Sequence, residues 1–168
     1  MTAADILEWV WLRHHNVVSW YIRPLFMLPL AWFAYRRSGV GIAATLVALA
    51  TSMFWFPAPD TPDPRVAEFL AFERESLTGD WTASKLGWAL LAPALLAVYC
   101  AVFWKRSLRW GLVLVNLIAI GKLFWGVTAG SGTGWAMTVP ALAGLLVCDA
   151  ALIAALYVRR LRKGAATS

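Results

Sequence analysis

The sequence predicts an all-α integral membrane protein, a single-domain bundle of about five transmembrane helices. One observation is composition, since 61% of the 168 residues are hydrophobic and 14% are charged, against about 45–50% and about 25% in soluble domains. A second is that several apolar runs reach the roughly 17–25 residues needed to cross a bilayer. A third is that basic residues cluster at the ends of these runs. Together they exclude an ordinary soluble enzyme, a disordered chain and a disulfide-stapled secreted module.

Residues 1–16 predict a short interfacial helix that precedes the first span. Thr2 with Asp5 three residues later resembles a capping box, although Asp replaces the usual Glu or Gln. Ile6 and Val10 lie along one stripe of this helix. Because Glu8 and other polar side chains lie within it, we expect the helix to rest at the membrane surface instead of crossing the bilayer.

Five apolar stretches predict the membrane spans. They cover residues 17–35, 39–56, 84–104, 110–128 and 135–158. Three basic clusters follow the first, third and fifth stretches: Arg36 and Arg37; Lys105, Arg106 and Arg109; Arg159, Arg160, Arg162 and Lys163. Cytoplasmic loops are enriched in Lys and Arg, so this alternation predicts an outside N-terminus and a cytoplasmic basic tail at 159–168. Small size and compact loops favour a bacterial inner membrane.

The outer loop, residues 57–83, contains most of the acidic residues. Its prolines predict a stiff first part, and Asp63 followed by Pro64 predicts a helix N-terminus. Apolar residues recur at helical spacing from there to Leu77, and Gly79 is a plausible stop. We expect an amphipathic helix that either lies on the outer membrane surface or covers the bundle. Its carboxylates include Glu68, Glu73 and Glu75.

Four strongly polar side chains lie inside the predicted spans: Arg23, Asn116, Lys122 and Asp149. An ionised residue in the bilayer is costly and by default a functional hypothesis. At about 1.5 Å per residue, Arg23 and Lys122 lie roughly 9–10 Å below the outer boundary, and Asn116 and Asp149 roughly 18–21 Å. The depths favour an outer cationic layer and an inner Asn116–Asp149 pair, and a direct contact between Lys122 and Asp149 would need a tilted helix or a shifted span border.

Each of these residues has a structural and a functional interpretation. Arg23 could extend to the outer interface, and Lys122 could pair with Glu68, Glu73 or Glu75. The functional alternative is a site for a small anion, or an ion path that opens outward. For Asp149, the alternatives are a carboxyl that orders two helices through Asn116 and a carboxylate that couples protons or cations.

The sequence contains no recognisable catalytic or cofactor motif. HExxH and G-x-S-x-G are absent. Cys100 and Cys148 lie in apolar runs without CxxC spacing, which is typical of buried small side chains. The glycines at 130–134 lack the Lys-Ser/Thr ending of a phosphate-binding loop and predict a turn. We expect His14 and His15 to form a solvated interfacial pair and predict no metal site.

Three function classes follow from these observations. The leading hypothesis is transport or channel-type movement of a small ion or solute, anionic if the cationic layer selects it, by a homo-oligomer. The second is a non-catalytic accessory subunit of a larger membrane complex that docks through residues 66–77. The third is a membrane enzyme acting on lipid or an envelope precursor, with Glu68, Glu73 and Glu75 as acid–base groups. The bilayer is the expected partner, and nucleic acid is not, because no basic stripe lies outside the clusters.

Overall fold

The computed structural model describes residues 2–129 and 135–165, and this part of the chain contains helices and no strand. The helices in order are α1 (Ala3–His14), α2 (Val17–Leu25), α3 (Met27–Tyr35), α4 (Gly39–Thr51) with a 3-10 turn (Ser52–Phe54), α5 (Pro64–Thr78), α6 (Ala83–Trp104), α7 (Leu108–Ala129) and α8 (Trp135–Ala165). The turn predicted at 130–134 and residues 166–168 of the predicted tail lie outside the described residues.

Three helical stretches are long and apolar enough to cross a membrane: Val17–Tyr35, Ala83–Trp104 and Trp135–Ala165. They coincide with the first, third and fifth predicted spans, and the last continues as helix beyond its predicted end at 158. The second predicted span contains a shorter apolar helical stretch, Gly39–Phe54. The chain is therefore all-helical with three candidate spans, and the five-span bundle stays a prediction.

α2 and α3 form one bent stretch that packs against α8. Pro24 lies inside α2, where a proline removes a backbone donor and bends the helix. A Cβ atom added to Gly144 of α8 would overlap the Pro24 ring, so glycine allows the two helices to touch. The thiol of Cys148, one turn further along α8, donates to the Pro24 carbonyl at 3.6 Å. Pro24 therefore faces inward, as expected of prolines in a membrane helix.

The main core lies between α3, α6, α7 and α8. Tyr99 of α6 is fully buried, and its hydroxyl donates to the carbonyl of Met27 at 3.0 Å. The rings of Tyr99 and Phe103 lie 4.7 Å apart. Other buried members are Leu30, Ala34, Val115, Cys148 and Leu152. This core fixes the positions of α7 and α8, which carry Lys122, Asn116 and Asp149.

α3 and α6 end in turns of the same kind. Arg37 and Arg106 adopt the left-handed conformation, with φ of 55° and 58°. The amides of Ser38 and Ser107 then bond to the carbonyls five residues earlier, at 2.9 and 3.2 Å. Glycine is the usual residue at this position of a helix end. Both turns therefore keep an arginine where the backbone favours glycine.

The three basic clusters meet at one end of the molecule, which we call the basic end. Arg37 Nε donates to the Trp104 carbonyl at 3.3 Å, and Arg159 Nη1 donates to the Arg106 carbonyl at 3.1 Å. The Arg106 guanidinium lies 5.7 Å from the centre of the Tyr35 ring. These contacts join the ends of α3, α6 and α8.

α5 covers the opposite end, which we call the acidic end. Asp63 caps the helix by accepting from the amide of Arg65 at 2.8 Å, and Pro64 takes the first helical position, as predicted. The apolar face of α5 packs against Trp20 of α2. Its buried residues are Val66, Phe69 and Leu70. Of the two predicted placements, the structure therefore shows the helix that covers the bundle.

α1 has the predicted capping box at its first turn. The Asp5 amide donates to Thr2 Oγ1 at 3.2 Å, and the Thr2 amide donates to Asp5 Oδ2 at 2.6 Å. Arg13 Nη1 donates to the Phe56 carbonyl at 3.1 Å, which ties the helix to the segment that follows α4. Several apolar residues of α1 stay exposed. They are Ile6, Leu7, Trp9 and Leu12.

Candidate functional site

A cavity of about 380 Å³ lies at the acidic end, bounded by α1, α2, α5, α7 and α8. Its polar lining residues are His14, Arg23, Glu73 and Lys122. Each comes from a different helix, so only the folded bundle brings them together. Ligand sites usually occupy about 300–1,000 Å³, and the cavity therefore has room for a small solute. Its further wall includes Val115, Gly144 and Cys148.

The polar groups run from an exposed mouth to a buried interior. Lys122 is exposed, and the Glu73 side chain is 42% exposed, so these two residues form the mouth of the cavity. Arg23 is half-buried. His14 is buried, with 6% of its surface exposed. A solute that enters between Glu73 and Lys122 therefore meets Arg23 and His14 as it leaves water.

The two cations of the cavity have one carboxylate nearby. Within the part of the chain that the structure describes, neither Arg23 nor Lys122 forms an ion pair within 4 Å. Burial raises the pKa of Glu73, and the positive charges of Arg23 and Lys122 act on it in the opposite direction. Arg23 and Lys122, expected from the sequence to lie near each other, thus line one cavity together with Glu73. With two cations and one carboxyl, the cavity favours an anion.

The other two outer-loop carboxylates do not join the site. Glu68 and Glu75 are exposed and do not line the cavity. From the sequence we expected the same role for Glu68, Glu73 and Glu75. However, only Glu73 lies one helical turn after the buried residues Phe69 and Leu70. It therefore projects from the buried face of α5, and the other two do not. This spacing could have distinguished Glu73 from the two exposed glutamates in the sequence alone.

His14 lines the cavity, although no sequence pattern predicted it as a site residue. Its ring lies between Trp11 and Trp20, with centroid distances of 6.1 and 5.8 Å. The expectation of a solvated histidine pair is therefore wrong for His14, because α2 and α5 fold over the end of α1. The position of His14, three residues after Trp11 on the same helical face, was the sequence signal for its burial. His15 is half-buried, and its Nδ1 lies 2.9 Å from the Trp11 carbonyl.

The His14 imidazole is neutral near pH 7. Burial lowers its pKa to about 4, with the charges of Arg23 and then His15 as further causes. Its Nε2 lies 3.8 Å from Glu73 Oε2, which is too long for a hydrogen bond. Its Nδ1 has no hydrogen-bond partner among the described residues. A neutral imidazole can both donate and accept, so His14 adds a polar group to the cavity without adding charge.

Asn116 and Asp149 form the predicted inner pair. Asn116 Nδ2 donates to Asp149 Oδ1 at 2.9 Å and to the carbonyl of Leu112 at 2.9 Å. Both residues are half-buried. They do not line the cavity, but the preceding residue of each, Val115 and Cys148, does. The pair therefore joins α7 to α8 immediately behind the cavity wall.

No protein-family model, curated protein or solved structure matches the chain. Its function is therefore argued from the geometry of the bundle. Within residues 2–129 and 135–165, no three His, Cys, Asp or Glu side chains come together as a metal site. The cavity at the acidic end remains the arrangement of polar groups with the clearest chemistry, which is recognition of negative charge.

Proposed function

We propose that this chain is a membrane protein with five crossing helices that binds a small anionic solute in the cavity and moves it across the membrane. The observation that carries the proposal is that Arg23 and Lys122, on different helices, line one cavity and form no ion pair with any of the described residues. Arg23 is half-buried, and a charge held partly away from water without a partner is unfavourable. A carboxylate or phosphate group on the solute supplies that partner through charge-assisted hydrogen bonds.

The course of the chain between its two ends supports five crossings. α4 leaves the basic end, and the segment after it bonds to Arg13 at the acidic end. α7 starts beside the basic end and carries Lys122 to the cavity. With the three candidate spans, these helices alternate in direction. We place the N-terminus outside and the C-terminus in the cytoplasm of a bacterial inner membrane, and we propose a homo-oligomer.

The inner pair extends the proposed route beyond the cavity. Asp149 lies behind the wall made by Cys148 and Val115, and Asn116 holds its carboxylate. Separation of α7 from α8 at this hydrogen bond would connect the cavity to the deeper half of the bundle. We propose that Asp149 is the coupling or gating group of the transport cycle, since intramembrane carboxylates commonly serve ion movement.

Uptake of radiolabelled acetate and of radiolabelled phosphate into proteoliposomes tests this proposal. We expect uptake of at least one probe above protein-free vesicles. Arg23→Gln and Lys122→Gln should each raise the solute concentration needed for half-maximal uptake about 10- to 100-fold, because each variant loses one charge-assisted hydrogen bond to the solute. The matched control is Lys105→Gln, which removes a cation at the basic end and should leave uptake unchanged.

Two outcomes would contradict the proposal. One is uptake by Arg23→Gln and Lys122→Gln at the level of the unchanged protein. The other is transport of rubidium but of neither anion, which would identify a cation path instead. Circular dichroism of each variant in detergent establishes that the bundle is intact, so that a loss of uptake reports on the cavity.

The two alternative functions have less support in the geometry. An accessory subunit that docks through residues 66–77 needs an exposed apolar stripe there, but Val66, Phe69 and Leu70 are buried against the bundle. An outer-face enzyme needs two carboxylates within reach of the cations, and in the described chain only Glu73 lines the cavity. Transport therefore leads, and both alternatives stay predictions from the sequence.

A further inference from the structure

The cavity at the acidic end becomes apolar with distance from its two cations. On α7, Lys122 lies at the mouth, and the cavity continues along this helix as far as Val115. The seven residues between them correspond to roughly 10 Å along the helix axis. Val115 is buried, with 5% of its surface exposed. On α2, the half-buried Arg23 is likewise followed by Met27 one turn further in. The cavity therefore has an apolar inner end beyond its charged groups.

The inner end offers a solute little to hydrogen-bond with. The side chains that line it are Met27, Val115, Leu145 and Cys148. The Cys148 thiol donates to the Pro24 carbonyl at 3.6 Å, and the Met27 carbonyl accepts from the Tyr99 hydroxyl at 3.0 Å. A polar group of the solute placed here would lose its hydrogen bonds to water without gaining replacements, which is unfavourable. The inner end therefore disfavours sugars, sugar phosphates and dicarboxylates.

The charged part of the cavity matches a head group with one negative charge. With Glu73 ionised and His14 neutral, Arg23 and Lys122 leave the lining with one net positive charge. His14 is buried, and its Nδ1 has no hydrogen-bond partner among the described residues. An imidazole nitrogen of this kind can donate to an oxygen of the head group without adding charge. A single carboxylate therefore balances the charge and uses the available donors.

We propose that the solute is a monocarboxylate with an apolar body, whose carboxylate lies between Arg23 and Lys122 and whose body packs against Val115 and Cys148. This inference rests on the proposed function, because it names the solute class of the same cavity. Acetate has the charge but leaves the inner end unfilled, and phosphate brings no apolar group. A carboxylic acid with a phenyl ring or a short alkyl chain fills both parts, and transfer of its body out of water is favourable.

Equilibrium dialysis of the purified full chain in detergent tests this inference. The probes are radiolabelled phenylacetate, acetate and phosphate, and micelles without protein provide the blank for partition of phenylacetate into detergent. We expect phenylacetate to bind about 10- to 100-fold more tightly than acetate, the gain from burying one aromatic side group. Benzyl alcohol has the ring without the charge, and succinate has a second carboxylate in place of the ring. Both should bind at least tenfold more weakly than phenylacetate.

Two variants block the inner end while keeping every charge. Ala119→Phe places a ring one turn beyond Lys122, at a half-buried position that lines the cavity. It should lower the affinity for phenylacetate at least tenfold and leave that for acetate unchanged. Leu145→Trp, at the inner end itself, is the second variant if the first fails to fold. Ala150→Phe is the matched control, because Ala150 is exposed on α8 and does not line the cavity.

Several outcomes would overturn the inference. Equal affinities for phenylacetate and acetate, or an unchanged preference in Ala119→Phe and Leu145→Trp, would show that no apolar body is bound. Tight binding of benzyl alcohol or succinate would assign another solute class. The comparison of probes uses the unchanged protein and decides the inference even if neither variant folds.

Failure of the proposed function has a different result in the same assay. It would appear as equal binding of every anion by the unchanged protein, Arg23→Gln and Lys122→Gln. Binding of acetate that depends on both cations but gains nothing from a ring would overturn only the solute class.

Discussion

The acidic end and the basic end of this protein contain cations in opposite settings. At the acidic end, Arg23 and Lys122 lie within helices and face a cavity with Glu73 and the neutral His14. At the basic end, the cations lie in the last turns of helices and in the connecting turns. One set faces inward toward a small volume. The other borders an apolar groove between α3 and α8.

The comparison shows that the position of a cation along a helix determines whether its presence indicates topology or function. A cation near a helix end reaches the interface at little cost, and there it also directs membrane topology. A cation in the interior of a span costs a few kcal/mol on insertion scales. In the proposed five-span topology, Arg23 and Lys122 occupy such positions, so they indicate a function more strongly than the nine clustered cations do.

The two ends should also differ in their response to pH, which gives the largest expected effect. The folded protein binds a proton at His14 only near pH 4, whereas an unfolded chain binds it near 6.5. Acidification from about 6.5 to 4 therefore favours unfolding, by up to about 3 kcal/mol. Thermal unfolding in detergent at pH 7 and pH 4.5 should show a larger loss for the unchanged protein than for His14→Gln.

Glu73 provides the opposite sign in the same experiment. Its raised pKa means that the folded protein takes up this proton before the unfolded chain, so this contribution is present below about pH 4.5 and is lost as pH rises. Glu73→Gln should therefore increase the acid sensitivity of the protein. Equal pH slopes in the unchanged protein, His14→Gln and Glu73→Gln would show that the acidic end does not titrate as described.

The next effect concerns the contact that closes the cavity wall. Gly144→Ala forces its Cβ against the Pro24 ring, and overpacking of this kind costs about 1–3 kcal/mol. We expect a melting temperature several degrees lower, together with weaker acetate or phosphate binding. Gly121→Ala is the control, because its Cβ meets nothing within 4 Å. A normal melting temperature in Gly144→Ala would contradict the close approach of α2 and α8.

The smallest effect concerns the core between the two ends. Tyr99→Phe removes the buried hydroxyl that donates to the Met27 carbonyl, and the expected cost is about 0.5–1.5 kcal/mol. Tyr157→Phe changes a residue that is 62% exposed and should be neutral in the same thermal assay. Equal melting temperatures for the two variants would show that the hydrogen bond contributes nothing.

Sequence patterns were sufficient for features that depend on one helix or on two consecutive helices. The apolar runs located three candidate spans, and Asp63 with Pro64 located the start of α5. The Asn116–Asp149 contact also followed from depth alone, since α7 and α8 are consecutive and antiparallel. These features depend on composition, periodicity and rise per residue. None requires knowledge of how distant helices pack.

Features that depend on distant packing were not predictable. His14 is buried because α5, some fifty residues later, folds over α1. The basic-end groove exists because α3 and α8 leave a space between them, and the two helices are separated by about a hundred residues of chain. Periodicity within one helix records which face is apolar but not which helix covers it. The sequence therefore grouped Arg23 with Lys122 but did not predict that His14 lines the same cavity.

In the proposed topology, the left-handed Arg37 and Arg106 have opposite effects on insertion into the membrane and on the stability of the folded backbone. A glycine at position 37 or 106 would remove about 1–2 kcal/mol of backbone strain, but it would also remove the contact of Arg37 with the Trp104 carbonyl or that of Arg106 with the Tyr35 ring. The nascent chain, however, is oriented while it is inserted, when the folded state does not yet exist and only the charge of the turn is available. In the proposed topology, an arginine at either turn therefore supplies the positive charge that directs insertion, at a cost in backbone strain.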